Sequence, residues 1–511
     1  NYMERKKMKR LLSCILVLAI WIIPVCTGAI VSAEDVLGAE VACTGQGLGT
    51  FSGVPACVNG DGELHICENN FPDEIFRNCV LGLPGGDDGY FSVQECEGVT
   101  EIVIGHSMVS SLQGVEFFTA LTLLNCENNQ LTKLDMKNNS ALLELQCSLN
   151  QITELDVSRN TNLETLVFSV NQVARIDVSN SPALKHLYAY YNRLTELDVS
   201  NNPALTELQC TLNSIAELNV SQNPALTLLH CDNNQLTELD VSNNPALTEL
   251  TCSINQLSEI NVESNLNLTM LHCNKNRLSD LDVGSNTALQ YLYCDENPLK
   301  KIDVHANPAL ISLICDDAQL TELDVSKNPV LSSLLCDNNR LTQLDVSKNP
   351  ALSTFICNDN QLTELDVTNN PALEQLGCGG NQLTELDVSG SPLLKFLYCY
   401  DNQLSQLKVS NNPALDTLVC YNNLLTELDV SSAAQLKLLS CYKNQLKQLN
   451  VRNNPVLEEL ICSSNQLAEL DVGRNPQLKV LYCYNNQLTQ LDVTSNAALE
   501  TLYCSGNQLS K

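Results

Sequence analysis

From residue 121 onward the chain repeats one pattern of apolar and polar positions every 21 residues, without an insertion. The unit reads LxxLxCxxNxLxxLDVxxNP, as in Leu247, Leu250, Cys252, Asn255, Leu257, Ile260 and Val262. In its first six positions apolar residues alternate with variable ones, the period of a short, half-buried strand. A constant step sets each strand beside its equivalent in the next unit at about 4.8 Å, so the pattern predicts a parallel sheet along a solenoid. Leu121 to Lys511 is 391 residues, or 18 × 21 + 13, which gives eighteen full repeats and a truncated nineteenth. Nineteen stacked strands would extend roughly 90 Å, with each coil touching only its neighbours.

Spacing also assigns the roles within a coil. Leu at positions one, four, eleven and fourteen, Cys at six and Val at sixteen face the core. Asn stands at position nine in every repeat except the one with Ala318, where its amide can satisfy backbone groups at the bend. Pro at position twenty in twelve repeats fixes the opposite corner. Seventeen of the 24 cysteines fall on the grid, from Cys126 to Cys504. Disulfides along that column are rejected, because in-register side chains point the same way and each thiol has two equivalent neighbours. A buried Cys is then a small apolar filler. Phe168 and Ala189 replace it on adjacent rungs, one large and one small, as compensating volumes.

Ahead of the array, Arg5, Lys6, Lys7, Lys9 and Arg10 precede an apolar run from Leu11 to Ala33 that ends in Val31, Ser32 and Ala33. Residues 1–33 are expected to be a cleaved secretory signal. Its removal takes the net charge from −31 to −31 − 4 = −35, with Glu4 counted in the leader. That balance argues against nucleic acid and against anionic membrane surfaces, and no membrane association is expected after cleavage. Residues 34–70 form an N-terminal segment in which Cys57 and Cys67 bracket an Asn59-Gly60-Asp61-Gly62 turn and could close a hairpin.

The 21-residue unit with its cysteine column resembles the cysteine-ladder members of the internalin-type leucine-rich repeat proteins of Gram-positive bacteria, over residues 71–511. The resemblance implies an α/β fold by leucine-rich repeat classification, in practice β-dominated: a right-handed curved solenoid with a long concave parallel sheet. It further implies an EF-hand-like helical cap over 71–98, carried by Phe71-Pro72-Asp73-Glu74 and by Asp87-Asp88-Gly89-Tyr90. Pro84 and Gly86 stand where a calcium loop aligned on Gly89 would need oxygen ligands, so the cap is read as a lid rather than a cation site. Cys79 and Cys96 could tie its helices. The solenoid then runs over 99–511, opening with one 22-residue repeat through Val99, Ile102, Ile104, Val109, Leu112, Val115 and Phe118.

Positions three, five, seven and eight are expected to face outward from the sheet, where solenoids bind partners. Twelve of the fourteen tyrosines stand there: Tyr188, Tyr190, Tyr191, Tyr291, Tyr293, Tyr398, Tyr400, Tyr421, Tyr442, Tyr482, Tyr484 and Tyr503. With Phe396 they read as an exposed amphipathic patch rather than as cross-strand packing alone. Gly377, Gly379 and Gly380 are expected to leave a bare rung, a groove beside Phe396, Tyr398 and Tyr400. Asp295, Asp316 and Asp337 hold position seven in successive coils and are read as a solvated ridge in preference to a calcium site. Asp at position fifteen, in fourteen of the eighteen full repeats, is read as scaffold.

Catalysis finds no constellation. His186, His230 and His272 lie on the outward face in different coils without a paired nucleophile, and no cofactor is implied. The expected function is that of a secreted or bacterial cell-surface recognition protein, a monomer that binds a host or surface protein through the concave face in the manner of an adhesin. A glycan-binding module is the alternative, although the single Trp, Trp21, lies in the leader. A targeting part of a larger protein is a third, since the sequence starts at Asn1 ahead of Met3 and stops within a repeat at Lys511.

Overall fold

The computed structural model describes residues 48–509; the expected signal segment, 1–33, lies outside the described residues. From Glu101–Val103 to Thr501–Tyr503, twenty three-residue strands form one parallel sheet. The first step of its register is 22 residues, Glu101 beside Leu123, and every later step is 21. The sheet is open, because its first and last strands pair on one side only.

As far as Leu481 each middle residue of these strands points into a continuous apolar core, and the repeat leucines, valines and cysteines are buried with it until the last two coils, where Leu491, Val493 and Cys504 are partly buried and Leu502 is exposed. The cysteine column carries no disulfide: Cys126 through Cys483 are buried free thiols. Several donate to the position-five carbonyl of the next coil, as Cys231 Sγ does to Thr251 O at 3.4 Å. Phe168 and Ala189 occupy their rungs fully buried.

Two columns of asparagine hold the bends. At position nine, Asn360 Nδ2 donates to Cys336 O of the preceding coil at 2.9 Å and to Cys357 O of its own at 3.2 Å. Its Oδ1 accepts from Leu341 N at 3.0 Å. This arrangement recurs along the array and is the ladder expected there. The second column, at position nineteen, was hidden in the Asn-Pro dipeptide that reads as a corner. Asn286 Nδ2, fully buried, donates to Val262 O at 3.0 Å and Asn265 O at 2.9 Å, so it spans two coils as the first column does. Asp at position fifteen closes a local turn by accepting from the backbone N–H two residues on, as Asp156 does from Ser158 at 3.0 Å. Hydrogen bonds of this kind hold these carboxyls below the usual carboxylate range, as at Asp198 and Asp345.

Position eight departs from expectation. It does not lie in the sheet: in all nineteen coils it is left-handed, from Asn128 at φ 51° to Gly506 at φ 67°. A left-handed residue turns the chain off the strand so that the next residue, Asn, can reach under the bend.

At the N-terminal end, strand β1 (Leu48–Phe51) pairs antiparallel with β2 (Val54–Cys57), and β3 (Leu64–His65) with β4 (Tyr90–Phe91). Helix α1 (Glu74–Leu81) is capped by Asp73, and α2 (Val93–Gly98) by a Ser92–Glu95 capping box. The second carboxylate oxygen of Asp73 accepts from Ser110 N and Ser110 Oγ, both at 2.8 Å, which ties α1 to the first coil. Phe71, Phe76, Phe91, Phe117 and Phe118 pack between them, mostly edge to face. Gly114, at φ 105°, lets the Phe71 ring lie against its backbone: a Cβ there would stand 2.3 Å from the ring. The cysteine bridges considered for this region are not formed, and Cys57, Cys67, Cys79 and Cys96 are thiols. Asn70 closes the region instead, accepting from Cys57 N at 2.9 Å and donating to Cys57 O at 2.9 Å and His65 O at 2.8 Å.

Candidate functional site

The outward sheet face is built from positions three, five and seven. Position seven has a particular backbone problem. The adjoining N–H groups at six and eight donate forward into the next coil, as Cys126 N does to Gln146 O and Asn128 N to Ser148 O. The carbonyl behind, at position six, is occupied by the asparagine amides. In several coils the N–H at seven is met instead by a side chain. Asp316 Oδ1 accepts from Asp337 N, and Asp337 Oδ1 from Asn358 N, each at 2.6 Å. Asn358 Oδ1 accepts from Gly379 N at 2.7 Å.

This corrects the solvated ridge. Asp295 and Asp316 are largely buried, and burial pushes the Asp295 carboxyl up to about 6. Burial and the neighbouring Asp337 raise Asp316 well above the carboxylate range. The calcium arrangement does not form either. The Asp316 and Asp337 oxygens bind backbone N–H groups of the next coil, and no group of three or more His, Cys, Asp or Glu among the described residues is disposed to hold a metal ion.

The expected groove is absent as well. Gly377 and Gly379 are buried, and a Cβ on Gly379 would stand 2.7 Å from the Tyr400 ring. The bare rung is thus filled by its neighbour. Tyr400 lies over Gly379, stacks on Tyr421 at 5.1 Å between ring centres, and Tyr421 stacks on Tyr442 at 4.5 Å. Planes within 14° of parallel hide the faces and present the edges. Most other tyrosines are half-buried: Tyr188, Tyr190, Tyr291, Tyr293, Tyr398, Tyr482 and Tyr484. Tyr191 and Tyr503 are exposed, and Phe396 sits at the margin. Tyr188 donates its hydroxyl to Glu207. Tyr482 and Tyr503 meet at 4.8 Å with planes tilted by 51°.

A histidine cluster goes beyond what the sequence offered. His230 Nε2 lies 3.6 Å from Glu249 Oε2, and His272 stacks on Tyr293 at 4.1 Å. Burial and His230 lower His272 to about 4, so this ring is neutral at physiological pH. Two histidines two coils apart can couple because Thr251 between them is small, a cue visible only once the register is known.

No protein-family model matches the chain, and no curated protein matches it. Among solved structures, the functional domain of InlJ from Listeria monocytogenes, described as including a cysteine ladder, shares 34% identity. The alignment covers 73% of this chain and 78% of that one, with a TM-score of 0.63. YopM from Yersinia enterocolitica follows at 25% identity, covering 85% and 92%, with a TM-score of 0.59. The ectodomain of the plant receptor kinase GASSHO1 from Arabidopsis thaliana, at 22% identity and TM-score 0.62 over 78% of this chain and 57% of that one, shares the fold.

Proposed function

Starting from the fact that the chain belongs to the cysteine-ladder internalins, a family of leucine-rich repeat proteins, we propose that it is a secreted or cell-surface recognition protein that binds a protein partner through the outward face of its sheet. One observation carries this reading: the repeat keeps its core fixed and abandons its regularity on that face. There, positions three, five and seven hold the tyrosines, histidines and Phe396 that the consensus does not require. The Tyr400–Tyr421–Tyr442 column is rigid, amphipathic and flanked by half-buried Tyr398, the composition of an interface anchor whose ordering cost is met before binding. Sugars stack on aromatic faces, and this column offers edges and hydroxyls, which favours a protein partner over a glycan. Adhesion to a host surface is the biological role consistent with such a face.

The test is capture of purified host surface and matrix proteins by the full chain, compared with a variant carrying Tyr398→Ser, Tyr400→Ser, Tyr421→Ser and Tyr442→Ser. A partner retained at undiminished affinity by the variant removes the column from the function. Glycan-array hits combined with empty protein panels would replace the protein reading by the sugar one.

A further inference from the structure

The left-handed position eight is filled by residues that tolerate it in most coils, among them Asn128, Asn233 and Asn338. In coils 2 to 5, counted from Leu121, it holds Leu149, Val170, Tyr191 and Leu212 in succession, and in coil 7 Ile254, all at φ between 54° and 58°. A left-handed backbone is unfavourable for large side chains and most so for β-branched Val and Ile. Burial does not explain four of these residues, because Leu149 is 46% exposed, Tyr191 57%, Leu212 41% and Ile254 45%, with Val170 half-buried between them. Local strain combined with exposed apolar surface, confined to neighbouring coils, marks a surface kept for contact.

We propose that Leu149, Val170, Tyr191 and Leu212, continued by Ile254, form a docking ridge for the apolar face of an amphipathic helix of a partner protein, with a carboxylate on that helix meeting Arg193. The ridge side chains rise by one coil, about 4.8 Å, per step. Same-face residues of a helix recur at about 5.4 Å and those of a strand at about 6.7 Å, so over four coils only the helix stays in register. Positions five, seven, eight and ten of coils 2 to 5 hold no carboxylate in a chain of net charge −31, and Arg193 is their one charged residue. Arg193 Nη2 is held by Gln172 Oε1 at 2.8 Å, beside a depression of about 380 Å³ that Tyr191 and Leu212 also line. A second copy of the chain is the poorer occupant: half-exposed side chains in one row fall well short of the roughly 800 Å² per partner of a stable interface, and the net charge repels self-association. The ridge is separate from the tyrosine column in coils 14 to 16, so either surface can fail its test without the other.

The experiment uses the full chain and a labelled helix-forming peptide of about 18 residues, with Leu at i, i+4, i+7 and i+11 and Glu on one flank, followed by fluorescence anisotropy. A peptide of the same composition with alternating Leu serves as the strand control. Replacing Leu149, Val170, Tyr191 and Leu212 together by Asn preserves the fold, since Asn occupies this position in other coils, and the melting temperature checks that it does. The helical peptide is expected to bind at least about tenfold more tightly than the control, and the Asn variant to lose about tenfold or more. Arg193→Gln is expected to weaken binding several-fold and to flatten its salt dependence. Absence of binding, equal binding of the two peptides, or full retention by the Asn variant overturns the proposal. A concentration-dependent dimer of the unaltered chain that the Asn substitutions abolish would assign the ridge to a second copy and equally overturn it.

Discussion

Replacing Asn360 by Ala removes one rung of the position-nine ladder in a regular part of the array. Three consequences follow from the geometry. Leu341 N, which donates to Asn360 Oδ1 at 3.0 Å, becomes a buried orphan, a loss of about 1–3 kcal/mol. Cys336 O and Cys357 O each lose one donor but keep a second, from Asn339 and Asn381 respectively, so each loss is about 0.5–1 kcal/mol. The sum is about 2–5 kcal/mol. The protein contains its own comparison at Ala318. There Leu299 N turns to Asn297 O at 2.9 Å and Lys300 N to Ala318 O at 3.0 Å, with Lys300 and Gln319 forced to φ 65° and 61°. That rearrangement is open to this coil because Pro298 precedes it and has no N–H to lose. At the equivalent place before Asn360 stands Arg340, whose N–H is engaged with Leu320 O at 2.8 Å, so the same escape would break a further bond. Native-state hydrogen exchange read by mass spectrometry is the suitable assay, because a solenoid opens locally. Amides of residues 331–380 should exchange at least about thirtyfold faster, while coils six or more away stay unchanged. Unaltered protection around Leu341, or a loss spread evenly along the array, would refute this account of the ladder.

Two further outcomes are expected. Asp295→Asn should stabilise the fold above neutral pH by on the order of 2 kcal/mol, since a carboxyl raised to about 6 favours the folded state below the unfolded-chain value near 4 and loses that contribution as pH rises through about 6; denaturant melts at pH 4 and pH 7.5 check it, and an equal gain at both pH values contradicts it. In a double-mutant cycle, Phe168→Cys should cost about 3 kcal/mol by cavity formation and Ala189→Cys about 1–3 kcal/mol by overpacking, with the double variant close to the original; additive losses would show that the two rungs do not compensate.

The pitch, the strand positions, the buried cysteines and the first asparagine column were legible in the sequence, because each follows from spacing that recurs without interruption. What escaped was carried by residues whose identity does not announce their conformation. Leu149 or Ile254 gives no sign of a left-handed backbone, which appears only when the bends of all coils are superposed in register. Asn286 was masked by the Pro of its neighbours, since Asn-Pro satisfies a turn reading and hides a fully buried amide. Asp316 looked solvated because the demand that draws it in, the N–H of Asp337 that its Oδ1 meets, arises from the asparagine already occupying the carbonyl behind. On the candidate site, spacing put eleven of the twelve tyrosines at positions three, five and seven of the outward face, while Tyr191 turned out to stand at the left-handed position eight. Sequence could not tell that Tyr400 would fill the rung left by Gly379, because the lean of a ring toward the preceding coil is not encoded in spacing.

The asparagine columns also give the solenoid a direction of growth. In both, the amide of a coil reaches back to carbonyls of the coil before it, and at position nine the same side chain accepts that coil's waiting N–H. Each coil therefore arrives carrying the groups that finish its predecessor and leaves its own completion to its successor. During synthesis, which delivers coils in this order at about 5–20 residues per second, the nascent array has one unfinished edge at any moment, however long it becomes. A parallel sheet of twenty strands, a slow and aggregation-prone object if it had to pair all at once, can form as a sequence of identical local closures.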